Sequence, residues 1–186
     1  MYAGIDFETY YDKDCSITHG LQNYLRHENF DAYMVSIYCE DNFAWVGHPK
    51  DAPWDKLEGV TALSHNRGFD EPVHDRLVST GVIPPHKFKE WHCTSDMAAY
   101  SGYPRSLKES LKESLGLVMS KEVRDKMKGR QFDELDNMLC LTLKVVPVFG
   151  KRMVHLGQSG RENSPERLLE CVGMGSLSIK NRLRSL

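Results

Sequence analysis

Met1-Tyr2-Ala3-Gly4-Ile5-Asp6-Phe7-Glu8-Thr9 opens the chain and decides how the rest of it is read. The stretch through Glu8 alternates and is rich in strand-forming residues, so it reads as a β-strand with two unlike faces. Side chains two apart on a strand point the same way. Asp6 and Glu8 therefore share one face, while Ile5 and Phe7 take the other. Two carboxylates on one face of a buried strand repel each other and lose hydration unless something cationic sits between them. A divalent metal answers both problems, and hard oxygen donors suit magnesium or manganese. A lone Asp-x-Glu is also an ordinary strand end with solvated acids, and so short a motif does not separate the two.

Beyond this strand come a polar stretch and a short helix over residues 20–27. Residues 32–39 and 42–46, parted by Glu40-Asp41, read as a hairpin. Residues 60–64 form a fourth strand ending in His65-Asn66. Residues 69–79 have helical spacing and stop at Gly81, ahead of Pro84-Pro85. Residues 88–93 make a fifth strand. Residues 106–115 and 132–143 are helical in period, with Gly116 capping the first of them. A meander of three strands followed by β-α-β-α predicts an α/β fold: a five-stranded mixed sheet flanked by helices. Its ligand site belongs at the C-terminal ends of the parallel strands.

A second constellation, Ser64-His65-Asn66-Arg67-Gly68-Phe69-Asp70, lies where the fourth strand meets a helix. That junction brings Asp70 to the same sheet edge as Asp6. As an acid in the first turn of a helix, Asp70 also favours the macrodipole, so by itself it proves little.

Taken together, Asp6-Phe7-Glu8-Thr9 and His65-Asn66-x-x-Phe69-Asp70 resemble the first two motifs of the DEDD 3′–5′ exonucleases, in the ribonuclease-H-like superfamily. The likeness is closest to the proofreading domain at the N-terminus of phage family-A DNA polymerases. Trp91-His92-Cys93-Thr94, Met97-Ala98, Tyr103-Pro104-Arg105-Ser106-Leu107 and Leu115-Gly116-Leu117 are similar to those domains too, so the resemblance spans roughly residues 2–144. It implies a ribonuclease-H-like sheet and phosphodiester hydrolysis with two divalent cations, Mg²⁺ or Mn²⁺, about 3.5–4 Å apart. In that scheme Asp6 bridges both cations, Glu8 holds the one on the nucleophile side and Asp70 orients the second. Thr9, Tyr10, Asn66 and Phe69 would contact the terminal nucleotide, with Tyr10, Tyr11 and Phe69 as stacking or wedge residues; aromatics at such positions are as commonly core. The implied partner is the 3′ end of single-stranded DNA, held by stacking of about 1–3 kcal/mol per base. A polymerase domain encoded nearby, and the cytoplasm of a phage-infected or prophage-carrying bacterium, are implied with it.

Composition agrees with a globular domain: of the 186 residues 40% are hydrophobic and 27% charged, and the formal net charge is −2. That balance excludes a disordered chain and a strongly basic DNA coater. No apolar run reaches the roughly 20 residues of a membrane span, and the acidic start is unlike a signal peptide. Five cysteines without a CxxC read as reduced thiols rather than a zinc site. The histidines show no metal-binding spacing, so His65, His86 and His92 read as structural. Lys121, Arg124, Lys126, Lys128 and Arg130 form a basic cluster, either a track for a DNA backbone or a solvated helix face.

The resemblance breaks at its third motif, in which a Tyr precedes an Asp by four residues on the last helix. Leu141 and Val145 stand in those places, and the last Asp of the chain is Asp136. Composition breaks nearby: no aromatic follows Phe149, and residues 151–186 hold seven Lys or Arg against three Glu. The chain is therefore read as an exonuclease-like domain over 1–144 and an atypical basic tail over 145–186. A one-nucleotide deletion at codon 145 would explain both breaks, since a neighbouring frame, under a permitted choice of codons, regains aromatics and acids. The expected activity is then metal and single-stranded DNA binding with weak or absent cleavage. Two alternatives stay open, a non-catalytic nucleic-acid-binding remnant and an exoribonuclease.

Overall fold

The computed structural model describes residues 1–41, 43–116 and 128–129. The helix expected over 132–143, the basic cluster apart from Lys128, and the tail from 145 lie outside the described residues. The sheet is built from β1 (Tyr2–Glu8), β2 (Met34–Cys39), β3 (Ala44–Gly47), β4 (Thr61–Ser64) and β5 (Glu90–Cys93). Around it run α1 (Leu21–Arg26), α2 (Arg67–Ser79), α3 (Thr94–Tyr100) and α4 (Leu107–Leu115), with short 3-10 turns at Ile17–His19, Pro49–Asp51 and Trp54–Leu57.

Strand order is β3-β2-β1-β4-β5. The first three strands are antiparallel neighbours, whereas β1, β4 and β5 run parallel. This is the mixed sheet expected from a meander followed by crossovers, and it sets the C-terminal ends of the three parallel strands along one edge. Alternation along β1 holds: Ala3, Ile5 and Phe7 enter the main core, and Asp6 and Glu8 are half-buried on the opposite face. Val35, Ile37 and Cys39 of β2, Ala62 of β4, Val73 and Leu77 of α2, and Trp54 complete that core. Burying a side chain such as Ile5 or Phe7 contributes about 1.5–3 kcal/mol, which fixes the register that turns the acids outward. A slip of a single residue would put Asp6 in the core. Trp54 is 2% exposed and donates its indole N–H to the Pro49 carbonyl at 2.8 Å, so its polar atom is satisfied inside the apolar layer.

The elements differ from the sequence reading in a few places. Helix α2 starts at Arg67 rather than 69, because the Asn66 carbonyl already accepts from the Phe69 and Asp70 N–H groups at 2.8 and 3.0 Å. Strand β5 starts at Glu90, with Phe88 packed into the core ahead of it. Helix α3 has no counterpart in the sequence reading; at seven residues it spans less than two turns, and Cys93 gives it no side-chain cap. Gly116 does cap α4, at φ 66° with its N–H on the Leu111 and Lys112 carbonyls. Cys15, Cys39 and Cys93 are free thiols. No helix among the described residues is long and apolar enough to cross a membrane.

Candidate active site

The ladder between β1 and β4 extends only as far as Gly4 opposite Leu63. Past that pair the two parallel strands part, and the backbone N–H groups of β1 on that side need another acceptor. Asp70, in the first turn of α2, supplies it: Asp70 Oδ1 accepts the Phe7 N–H at 3.2 Å. Its other oxygen accepts the hydroxyl of Ser64, the last residue of β4. Asp70 thus closes the gap between the strands and stands beside the β1 acids. It is only 2% exposed. Burial first, then Asp6 and to a lesser degree Glu8, hold its carboxyl well above the usual carboxylate range; the bonds from Ser64 and Phe7 oppose that shift. An acid raised in this way by burial and two neighbouring acids stands where positive charge is lacking.

The neighbourhood holds a further polar atom. Ser36 of β2 stands directly opposite Asp6 in the antiparallel ladder. It is 2% exposed, and its hydroxyl has no hydrogen-bond partner. Leaving such a group unpaired costs about 1–3 kcal/mol, a cost removed when a ligand or ion shell engages it.

These groups bear on whether the site suits a divalent cation. Among the described residues, no cluster of three or more His, Cys, Asp or Glu side chains is arranged to hold a metal ion by itself. A magnesium-type ion does not require one, since it is commonly held by one or two carboxylates together with substrate phosphates and water. Asp6 and Glu8 on one strand face, the buried Asp70 and the orphaned Ser36 hydroxyl fit such an ion, with water or substrate phosphates completing its shell. Each Asp70 oxygen keeps a second lone pair beyond the bond it accepts.

The residues expected around a nucleotide are placed less evenly. Asn66 is exposed at the N-cap of α2, and its carboxamide makes no capping bond. Thr9 is half-buried and follows Glu8 directly, with its hydroxyl hydrogen-bonded to that of Tyr24 at 2.7 Å. Phe69 is half-buried and stacks on Tyr24 with ring centroids 6.2 Å apart, packed against the core. Tyr10 donates its hydroxyl to Asp12 at 2.9 Å and also packs on the core. Thr9 and Asn66 lie next to the acids in sequence, whereas Phe69 and Tyr10 are partly engaged as structure. His65 bridges the Thr94 hydroxyl and the Arg105 carbonyl at 3.1 and 2.8 Å, the structural role expected of it.

Three participants escaped the sequence reading. Tyr24 braces the loop after β1 through bonds to Thr9 and to the Tyr10 carbonyl at 2.6 Å. Its partners lie about four helical turns of sequence away, so no local spacing marks them. Ser36 had one available signal, a lone hydroxyl inside the otherwise apolar run Met34-Val35-Ser36-Ile37. Ser64 was in view within the second constellation, but its bond to Asp70 depends on the strand-to-helix geometry.

No protein-family model matches the chain, and no curated protein does. Eight chains of solved structures match it. One of them, described as the apo form of a nuclease, is 19% identical with a TM-score of 0.56 and covers 92% of this chain and 79% of its own length. The chain thus has an α/β, ribonuclease-H-like fold, a five-stranded mixed sheet flanked by helices, and shares its architecture with a nuclease.

Proposed function

We propose that this chain is a 3′–5′ exonuclease-type domain whose acidic edge binds two divalent cations and the 3′ end of single-stranded DNA, with turnover weak or absent. The observation that carries this reading is the meeting of Asp6 and Glu8 with the buried Asp70 at the C-terminal edge of β1 and β4. In the doubly wound sheets for which the rule was drawn, ligands bind at such an edge. The fold shared with a nuclease supports the same class of chemistry.

Asp6 and Glu8 would hold the cations, which when bound neutralise phosphate charge and make water a competent nucleophile near neutral pH. Asp70 keeps the end of β1 in place through the Phe7 N–H and would add negative charge at the back of the site once cations are bound. Tyr24 anchors Thr9, and Asn66 presents an exposed carboxamide where a terminal sugar or phosphate would arrive. Leu141 and Val145 supply neither the hydroxyl nor the carboxylate that an active relative would place on its last helix. Losing such groups costs orders of magnitude in rate.

The test is a labelled single-stranded oligonucleotide, followed by anisotropy for binding and by gel for nucleotide release, with Mn²⁺ or Mg²⁺. Binding that requires the metal and is lost in Asp6→Ala, with little release, is the expected result. Robust metal-dependent release would contradict the impaired site, and metal-independent binding unchanged in Asp6→Ala would contradict the whole reading. The missing third-motif groups also favour a second reading, a non-catalytic binding remnant, for which release would be nil even at high Mn²⁺.

A further inference from the structure

We propose that Ser36 is a positioning residue of the cation site, its hydroxyl orienting the Asp6 carboxylate when an ion is bound. The inference rests on the metal-binding reading above and adds to it a residue that lies outside both acidic motifs. Ser36 sits in β2 between Val35 and Ile37, both fully buried. It occupies the row Val46–Ser36–Asp6 across β3, β2 and β1. Directly opposed residues in an antiparallel pair share a face, with Cβ atoms about 4.5–5.5 Å apart. Val46 offers no polar atom, so within that row the Asp6 carboxylate is the group a Ser36 O–H can serve. Glu8 is not served in the same way, because Met34 stands opposite it.

A hydroxyl that is 2% exposed and has no partner is a standing cost to the fold. Alanine or valine would fill a strand position of this kind more cheaply. The serine makes physical sense if the hydroxyl is engaged in the loaded state. A carboxylate that holds a cation is normally fixed by a hydrogen bond to the oxygen turned away from the ion, and loss of such a partner typically lowers metal affinity 10–100-fold. Ser36 stands where it can make that bond once Asp6 turns toward an ion.

The test uses the full chain and Mn²⁺ alone. Free Mn²⁺ is read by electron paramagnetic resonance in wild type, Asp6→Ala, Ser36→Ala and Ser36→Thr, and melting temperature is measured with and without the ion. Ser36→Ala should weaken Mn²⁺ binding about 10-fold while leaving the metal-free melting temperature equal or higher, since it removes an unpaired buried group. Ser36→Thr keeps the hydroxyl on a strand-compatible side chain and should restore most of the affinity. Wild-type affinity in Ser36→Ala would overturn the proposal, and so would a loss that Ser36→Thr does not recover. If wild type itself takes up no Mn²⁺, or Asp6→Ala binds it equally well, the metal-binding reading fails and the role of Ser36 falls with it.

Discussion

Asp70 shows how a single residue serves fold and site with conflicting demands. Its two oxygens hold Phe7 and Ser64, yet its charge is buried beside Asp6 and Glu8. A carboxyl whose value is raised by folding contributes stability that is full below the unfolded value near 3.9 and is lost as pH rises through the folded value. Metal-free protein should therefore lose stability as pH climbs from about 4 toward neutrality on account of this group. Asp70→Asn keeps an acceptor for the Phe7 N–H and removes the charge. Its melting temperature in the presence of chelator should exceed wild type at pH 7, with the gain shrinking toward pH 4; an equal drop at both pH values would contradict the assignment. Asp6 and Glu8 at a strand end and Asp70 in the first turn of α2 were legible in the sequence because acids at element ends carry a local signature. Ser36 and Tyr24 were not, because their roles depend on which residues stand across the ladder or one element away.

At the scale of elements, alternation along β1 and the apolar strands that follow it made the five-stranded sheet readable. Each strand's buried face is encoded within a few residues. The short pieces were not readable: α3 and the 3-10 turns are too brief to show a period and take their shape from what they pack against. The aromatic layer behind the sheet is a case in point. Trp54 sits in the turn Trp54–Leu57, and it packs edge-on to His74 at 5.7 Å and beside His86 at 5.4 Å. His74 Nε2 and His86 Nδ1 are 3.1 Å apart, and Phe88 and Trp91 flank them. Burial pushes both imidazoles down from their usual value. Asp75 and Glu71 oppose this at His74, and the Leu57 carbonyl and Glu58 oppose it at His86, whose buried Nε2 still makes no full hydrogen bond. Lowered values mean that stability is full above the unfolded value near 6.5 and is lost as pH falls from there through the folded values. Urea titrations at pH 7.5 and pH 5.5 should show this loss in wild type, and a smaller loss in His74→Phe. An identical acid response in the two proteins would place the titrating groups elsewhere.

At the scale of the whole molecule, the sheet presents an acidic edge in a chain whose formal net charge is only −2. A polyanionic strand approaching that edge meets like charge unless cations intervene, so nucleic acid is expected to bind only where the metal is already in place. The composition break beyond Phe149 is answered at the nucleotide level, where a neighbouring frame at codon 145 either does or does not encode an aromatic, acidic continuation. Cation binding at the β1 edge is the claim on which the rest depends. Calorimetric titration of Mn²⁺ into wild type and Asp6→Ala tests it most directly. Saturable binding by wild type that Asp6→Ala abolishes is the predicted result, and absent binding, or binding that Asp6→Ala leaves unchanged, would contradict the account.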